Sequence, residues 1–269
     1  RQRQMCIRDR NNPSPMTLDG TNSYIVKSND LSTVALIDPG PELASHKQAL
    51  ENAVDCATLT AIVLTHHHAD HSEMLGTAHE WAPGVPVYAV DETFAKGAPA
   101  LTSLSPEGTV VEFGSHANDR LTLIPTPGHT ADSISVLHGN TLFSGDTILG
   151  EGTTVIMYPE GSVGQYLDSM QQISDLVDHS VNVIQPAHGP IIEDPRAVVD
   201  YYISHRKDRL NQVSKVVEQV GQIETDSTGA ISQEYAGRVA DVVYADVPQK
   251  LRPAVLSSVS AQLEYLLES

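Results

Sequence analysis

The sequence predicts an α/β (α+β) fold in which two β-sheets carry helices on their outer sides, followed by a small helical domain. Three observations favour this architecture. From residue 11 onward, short apolar strands alternate with segments of helical periodicity. Several histidines and aspartates directly follow the ends of predicted strands. Near residue 195 the strand pattern stops, and only helical periodicity continues.

Length and composition limit the classes of protein that the chain can belong to. Its 269 residues can bury a core without covalent staples. No apolar run approaches the roughly eighteen residues of a membrane span, so no membrane partner is expected. No apolar stretch follows the basic N-terminal residues, so a cytoplasmic protein without a secretory leader is expected. The net charge of −18 opposes long-range attraction to nucleic acid, and the oligomeric state is left open.

The predicted elements follow in order along the chain. Residues 1–10 carry four arginines and no periodicity, which predicts a disordered or non-native tail. Two strands, 23–27 and 33–38, are separated by a polar turn, and proline and glycine at 39 and 40 end the second. Further strands are predicted at 61–64, 85–90, 121–124, 133–137, 141–143 and 181–184, with helices at 42–54 and 163–177.

One domain boundary is predicted. Asp194 is a suitable N-cap and Pro195 fits a first helical turn, so a long helix is expected to begin there. Residues 11–194 are therefore predicted to form one domain and residues 195–269 a second, helical one. The helices of the second domain are predicted at about 195–220, 229–237 and 248–267.

One short stretch concentrates residue types that bind metals. The motif His66-x-His68-x-Asp70-His71 comes directly after the apolar strand 61–64. Extended residues two apart point to the same side, so His66 and His68 can hold one ion. The chain then turns into a helix, which aims Asp70 and His71 at a neighbouring point. The two cysteines have no metal-type spacing, so histidine and carboxylate must supply the metal chemistry.

Three further residues of these types follow strand ends, each beside glycine or proline: His129, Asp146 and His188. The full set predicts a site for two divalent ions. One ion takes His66, His68 and His129, the other takes Asp70, His71 and His188, and Asp146 bridges them. A solvated His-rich loop is the alternative, but this spacing arises by chance in about one of 10³ such chains. These donors suit zinc, and iron or manganese are also allowed.

Two residues near the motif have predicted supporting roles. Asp38 lies at a strand end and is predicted to orient the ligand loop, with a simple turn-capping aspartate as the alternative. His67 points away from its neighbours by strand alternation, and it is a weak candidate for contact with substrate. Tyr158 is a second weak candidate, because it lies in the glycine-containing loop 150–164.

The motif and the three downstream ligands resemble the metallo-β-lactamase superfamily, which is marked by a His-x-His-x-Asp-His loop followed by His, Asp and His. Within it, the chain is similar to the endoribonuclease-like group of β-lactamase-like protein 2. The shared segments are Asn12-Pro13-x-Pro15-Met16-Thr17-Leu18-x-Gly20-Thr21-Asn22, 152–155 and Tyr201-x-Ile203-x-His205-Arg206-x-x-Arg209. The resemblance implies a four-layered αββα sandwich with the metals at one edge of the two sheets, and a winged-helix-like C-terminal domain.

Three departures from related patterns bear on function. The best-known β-lactamases have cysteine at the position of Asp146, so the resemblance does not imply lactamase activity. Glyoxalase II resembles the chain at the metals, but its Gly-His-Glu-Tyr-Thr motif is here replaced around His188 by Ala-His-Gly-Pro. The chain stops at Ser269, where a winged helix would continue into its hairpin, so the wing is expected to be incomplete.

The resemblance and the ligand set together imply a metal-dependent hydrolase. A hydroxide that bridges the two ions is expected to attack the scissile bond, and Asp70 is the expected catalytic residue, binding a metal and orienting the hydroxide. The first hypothesis is cleavage of single-stranded RNA, favoured by five basic against two acidic residues over 196–215. Hydrolysis of a small ester, thioester or lactone is the second, and a non-enzymatic binding module with structural metals the third. The weak candidates for RNA contact are His205, Arg206 and Arg209.

Overall fold

The computed structural model describes residues 4–7, 18, 20–97 and 108–268, with the side chains of 4–7 and 81 left out of the description. Within this part, the chain forms two five-stranded sheets and seven α-helices. It divides into two compact units. The first unit comprises Arg1–Thr126, Asp132–Gly152 and His179–Pro195, and the second comprises Pro127–Ala131, Thr153–Asp178 and Arg196–Ser269.

The first unit contains both sheets. The first sheet has the order β1-β2-β3-β4-β5, antiparallel from β1 to β3 and parallel from β3 to β5. Its strands are β1 (Gln4–Ile7), β2 (Ser23–Lys27), β3 (Thr33–Ile37), β4 (Thr58–Val63) and β5 (Val87–Tyr88). The second sheet has the order β10-β9-β8-β7-β6, antiparallel except for the parallel pair β9 and β10. Its strands are β6 (Thr109–Glu112), β7 (Arg120–Pro125), β8 (Ile134–His138), β9 (Thr141–Gly145) and β10 (Val183–Pro186).

The first sheet is buried on both faces, and this arranges the layers of the unit. Consecutive strand residues point to opposite faces, and in β2 both Ile25 and Val26 are fully buried. Ile25 belongs to a core shared with Leu50 and Met74 on the helical side. Val26 belongs to a second core that also contains Leu121 and Val136 of the second sheet. A helical layer, a sheet and a second sheet are therefore stacked, which confirms the predicted two-sheet α/β architecture.

The helices of the first unit are short. They are α1 (Ala44–Val54), α2 (Ala69–Ser72) and α3 (Leu75–Trp81). The second unit contains α4 (Val163–His179), α5 (Pro195–Val220), α6 (Gln233–Val243) and α7 (Arg252–Glu268). Only the last residue of α4 and the first residue of α5 belong to the first unit. Its core holds apolar residues of α5, α6 and α7, including Val213, Val239 and Val259. None of the described helices is long and apolar enough to cross a membrane.

Part of the N-terminal segment predicted to be a disordered or non-native tail lies among the described residues. Residues 4–7 form β1, which pairs with β2 at the edge of the first sheet. An edge strand needs only backbone pairing on one side, and a side-chain pattern does not reveal it. The rest of 1–10 lies outside the described residues, as do residues 12–17 of the shared N-terminal segment.

Two other elements differ from their predicted extents. The strand predicted at 85–90 is limited to β5, because Val87 exchanges both backbone hydrogen bonds with Lys96 and the chain turns back. The helix predicted at 229–237 begins only after Ser232, whose hydroxyl caps it by accepting from the N–H of Tyr235. Before it, Asp226 accepts three hydrogen bonds from residues 228 and 230 and holds a turn.

The two compact units do not follow the predicted boundary alone. The predicted boundary at 194/195 falls beside one division between them. However, the loop 127–131 and the segment 153–178 group with the C-terminal helices rather than with the sheets. The C-terminal helical region is present, and its likeness to a winged helix stays a prediction.

Candidate metal centre

The predicted ligand loop connects β4 to α2, where the chain leaves the first sheet. His66 is buried and His68 half-buried, and His66 Nε2 lies 2.9 Å from His68 Nδ1. Ligand nitrogens on one tetrahedral ion with bonds of 2.0–2.1 Å are separated by about 3.3 Å, so this pair is close to chelating geometry. The Thr65 hydroxyl donates to a carboxylate, so His66 Nδ1–H donates to Thr65 Oγ1 at 3.2 Å. His66 Nε2 then keeps a lone pair for a metal.

Asp146 and His188 follow the parallel neighbours β9 and β10. Pro186 is paired in register with Gly145, so the residues that follow the two strands emerge side by side. His188 Nε2 lies 3.2 Å from Asp146 Oδ1. Gly145 has φ of 52°, and a Cβ there would come within 2.8 Å of the Thr65 side chain. A glycine is therefore needed where the ligand loop approaches β9.

His71 and His188 share two carboxylates. His71 Nε2 lies 3.5 Å from Asp70 Oδ2 and 3.6 Å from Asp146 Oδ1. His188 Nε2 lies 3.4 Å from the same Asp70 oxygen. Among the described residues, the buried His71 Nε2 has no hydrogen-bond partner. Such a nitrogen is costly to bury unless it has a ligand.

These donors fit a divalent metal. The ligand atoms of Asp70, His71 and His188 all lie within 4.8 Å of one another, and so do those of His66, His71 and Asp146. Imidazole nitrogen and carboxylate oxygen are the donors of catalytic zinc sites. The unpartnered His71 Nε2 is directed at the two carboxylates that would share the ion. The cluster is therefore able to bind metal ions.

Without a metal, the cluster stabilises protonated imidazoles. Burial opposes the charge on His71, but Asp70, Asp38 and Asp146 outweigh it and raise the pKa of His71 to about 9. Burial likewise opposes the charge on His188, but Asp146 and Asp70 raise its pKa to about 11. Burial raises the pKa of Asp70, and His71 and His188 overcome this, so that it lies well below its usual range.

Metal binding is consequently expected to release protons. At pH 7 both His71 and His188 are protonated without metal, whereas a ligand must be a neutral imidazole, so about two protons should leave at saturation. Metal affinity should fall as the pH is lowered. Calorimetric zinc titrations in buffers of different ionisation enthalpy measure this release. His138→Gln is a matched control, since the His138 ring bonds to a backbone carbonyl of β7. A titration heat that is independent of the buffer would contradict the prediction.

Asp38 lies beneath the ligand loop with its carboxylate fully used. Asp38 Oδ1 accepts from the Thr65 N–H at 2.7 Å, and Oδ2 accepts from the Thr65 hydroxyl at 2.7 Å. The same Oδ2 accepts from His71 Nδ1–H at 2.9 Å, which leaves His71 Nε2 as the metal-binding atom. These bonds join the two ends of the loop. The orienting role of Asp38 stays a prediction, and these contacts are its physical basis.

A clip formed by residues 20–24 was not predicted from the sequence. The Thr21 hydroxyl donates to Asp70 Oδ2 at 2.8 Å. The Asn22 side-chain amide donates to the carbonyl oxygens of Pro186 and Gly189, and Gly20 O accepts from His188 Nδ1–H at 3.1 Å. The clip therefore holds one ligand directly and the loop of another. The Gly-Thr-Asn string of the shared N-terminal segment is the sequence signal that could have indicated the clip. The residues that Gly20 and Asn22 contact, however, are more than 160 residues away in the sequence.

Removing the Asn22 amide is expected to destabilise the protein. Asn22→Ala leaves the buried Gly189 O without its side-chain donor, whereas Pro186 O keeps the Tyr24 hydroxyl, so a cost of about 1–3 kcal/mol in the free energy of unfolding is expected. Asn52→Ala, on the exposed side of α1, is the matched control and should change it by less than about 0.5 kcal/mol. Urea unfolding monitored by circular dichroism measures both. Equal effects of the two substitutions would contradict a structural role for the clip.

His129 lies in the loop 127–131, which belongs to the second unit. The residue is 3% exposed. His129 Nδ1–H donates to Val155 O at 2.5 Å, with Thr154 Oγ1 3.2 Å from the same nitrogen. His129 Nε2 is thereby the ring nitrogen without a proton in the neutral imidazole. Its membership of the metal site stays a prediction.

The weak candidates for substrate contact have other partners in the structure. Tyr158 and Arg209 face the helical core, where Tyr158 Oη accepts from the Ile231 N–H and the Arg209 guanidinium lies 4.8 Å from the Tyr244 ring centroid. Arg206 is 6% exposed and donates to Thr154 O. The observed contact of Arg206 is therefore internal, and its contact with substrate stays a prediction.

The two remaining candidates are partly exposed. His67 is bonded to Asp132 at 2.9 Å beside the ligand loop. The centroid of the His205 ring lies 5.8 Å from that of the Tyr201 ring on α5. Burial is the main cause that lowers the pKa of His205, and the charges of Arg206 and Arg209 lower it further. Contact of His67 and His205 with substrate stays a prediction.

Candidate metal-binding residues that follow the ends of strands in two stacked sheets are typical of one class of metal-dependent hydrolase, and this chain has that arrangement. Residues 16–188 match the metallo-beta-lactamase superfamily. The chain belongs to this superfamily, which confirms the resemblance and makes it an enzyme of the hydrolase class.

Individual relatives agree with this assignment. The chain is 32% identical to the Beta-lactamase-like protein 2 homolog of Caenorhabditis elegans, over 95% of this chain and 81% of that one. It is 35% identical to the hydroxyacylglutathione hydrolase of Pectobacterium atrosepticum over 60% of each. A metallo-beta-lactamase family protein from Thermus thermophilus superposes with a TM-score of 0.69 at 20% identity, covering 95% of this chain and 90% of that one. The last comparison shows the fold alone.

Proposed function

We propose that this hydrolase uses two zinc ions to cleave a small acyl substrate, an ester or a thioester. The observation that carries the proposal is the convergence of Asp70, His71, Asp146 and His188, whose facing nitrogen and oxygen atoms lie 3.2–3.6 Å apart. One ion is assigned to His66, His68 and His129, the other to Asp70, His71 and His188, with Asp146 shared. Bound there, zinc supplies Lewis-acid activation of water and of the scissile carbonyl.

The chain's own residues arrange the site for this chemistry. Asp70 is the proposed catalytic residue, because it contributes one oxygen to the metal cluster and is held by the Thr21 hydroxyl. Asp38 and Gly20 accept from the Nδ1 atoms of His71 and His188, which turns both Nε2 atoms towards the carboxylates. Two ligand imidazoles are therefore fixed in orientation before any ion binds, and Nε2 is the nitrogen that each offers to a metal once its proton has left.

Charge favours a small acyl substrate over a polyanion. The net charge of −18 repels RNA at long range. Three arginines of α5 have partners within the chain. Arg196 forms surface ion pairs with Asp178 and Asp200. Arg206 donates to Thr154 O, and Arg209 lies over the Tyr244 ring. The hydroxyacylglutathione hydrolase relative, named for a thioester substrate, supports an acyl substrate.

Cleavage of single-stranded RNA is the second candidate. It is supported by the similarity to the endoribonuclease-like group of β-lactamase-like protein 2 along nearly the whole chain. Lys207 and Lys215 remain on α5 as candidate phosphate contacts. Both candidates use the same metal cluster, so the substrate assay has to separate them. A cytoplasmic location accompanies either proposal.

The deciding experiment combines metal analysis with two substrate panels. Protein purified without added metal is analysed by plasma mass spectrometry, loaded with zinc, and assayed on acyl-glutathione thioesters, aryl esters and short single-stranded RNA. We expect two ions per chain, and turnover of an acyl substrate that disappears on chelation and returns with zinc. RNA cleavage that depends on Asp70, without acyl turnover, would replace the first candidate by the second. Wild-type protein without either activity would contradict both.

A further inference from the structure

Arg206 is a buried cation on α5, and its guanidinium is directed into the second unit rather than to solvent. The residue is 6% exposed. It donates to the carbonyl oxygen of Thr154, and its guanidinium carbon lies 4.9 Å from the centroid of the Tyr166 ring. Burying an arginine is costly unless its donors are used, so contacts of this kind indicate a specific role.

The segment that Arg206 holds is the one that holds His129. The carbonyl of Thr154 accepts from Arg206, and the carbonyl of the next residue, Val155, accepts the hydrogen bond from His129 Nδ1–H. The N–H of Met157 donates to His129 O at 3.1 Å, so the same segment binds the histidine by side chain and by backbone. One peptide unit thus separates the Arg206 contact from the His129 contact.

The other side of the His129 loop is fixed by α4. Gly128 has φ of 141°, and a Cβ there would lie 2.4 Å from the Cα of Tyr166. The Ser162 N–H donates to Gly128 O, and the Ser169 hydroxyl donates to Pro127 O. Because Tyr166 also lies against Arg206, the arginine contacts both supports of the loop. These contacts explain why residues 127–131 group with the C-terminal helices.

We infer that Arg206 is a positioning residue for His129, and that the C-terminal helical region thereby sets the affinity of one metal ion. The ion is the one assigned to His66, His68 and His129, so the inference rests on the proposed function. Arg206 holds the carbonyl of Thr154, this places Val155 O, and Val155 O fixes the tautomer and the direction of the His129 ring. Hydrogen-bonded supports of metal ligands act in this way on affinity.

The test compares metal binding in three variants of the full chain. Arg206→Met removes the donors and the charge at similar length, whereas Arg206→Lys keeps the charge and a donor. Lys207→Met removes the same charge from the exposed neighbouring position. Each protein is titrated with zinc against a competing chelator, and the cobalt-substituted form is examined by visible absorption, which reports ligand geometry without an activity assay. Thermal unfolding checks that each variant is folded.

Arg206→Met is expected to lower the affinity for one of the two ions by about 10–100-fold and to change the cobalt spectrum, while the affinity for the second ion stays the same. Lys207→Met should bind both ions like the wild type, and Arg206→Lys should fall between the two. Two ions of wild-type affinity and an unaltered spectrum in Arg206→Met would overturn the inference. If Arg206→Met does not fold, Arg206→Lys decides: reduced affinity for one ion supports the inference, and wild-type affinity overturns it.

His129→Ala separates this inference from the proposed function. If His129→Ala still binds two ions with wild-type affinity, the proposed ligand set is wrong and the inference falls with it. If His129→Ala loses one ion while Arg206→Met retains both, the ligand set stands and only the role of Arg206 is overturned.

Discussion

Asp70→Ala is expected to lower kcat/KM for the acyl substrate by at least about 10³-fold, which corresponds to about 4 kcal/mol of the several that a metal ion contributes. Asp70 Oδ2 lies within 3.5 Å of both His71 Nε2 and His188 Nε2, so these three atoms are the ligands assigned to one ion. Removal of Asp70 takes away the charged ligand that lies between the two imidazoles.

The measurement is steady-state turnover at saturating zinc, together with the zinc content of the dialysed protein. Asp246→Ala removes a carboxylate from an exposed position of the second unit and should leave both quantities unchanged. Activity of Asp70→Ala within about tenfold of the wild type would remove Asp70 from the chemistry, since a lost metal ligand costs more.

Asp38→Asn is expected to weaken metal binding by about 10–100-fold, although Asp38 is not one of the proposed metal ligands. The Asp38 carboxylate accepts three hydrogen bonds from Thr65 and His71, and an amide has only one oxygen with which to replace two. The amide NH₂ would face a donor, so the His71 ring loses its orientation. Asparagine tolerates the φ of 51° at this position, so backbone strain does not add to the effect.

Zinc titration against a chelator measures the affinity of Asp38→Asn, and the free energy of unfolding of the metal-free form is measured separately. Asp246→Asn is the control with the same chemical change at the surface. A zinc affinity within about threefold of the wild type would show that Asp38 only closes a turn, which is the alternative considered from the sequence.

The sequence predicted those parts of the site that are local in the chain. His66, His68, Asp70 and His71 lie within six residues, and the apolar run before them identifies the strand that positions them. The glycine at 145 and the end of a strand likewise indicated Asp146 as a candidate ligand, and it lies in a group of residues that could hold a metal. In such cases the residue type, the spacing and the strand end are read from one short segment, and the periodicity of the chain carries the information.

The supports of the site could not be predicted in the same way. The contacts of Asn22 with Pro186 and Gly189 join segments more than 160 residues apart. The contact of Arg206 with Thr154 O depends on the burial of the arginine. A basic helical segment does not reveal this burial, because its sequence would be the same if the arginine faced solvent. A charge count over 196–215 therefore does not show that Arg206 donates to Thr154 O or that Arg196 pairs with Asp178.

The clip at residues 20–24 has a consequence for how the enzyme matures. Its partners Pro186, His188 and Gly189 lie in the last segment of the first unit, so they are synthesised more than 160 residues after the clip. Pairings of such long sequence separation form late in folding. Complete metal binding by Asp70, His71 and His188 is therefore expected only after the segment that carries His188 has been synthesised and has met the clip.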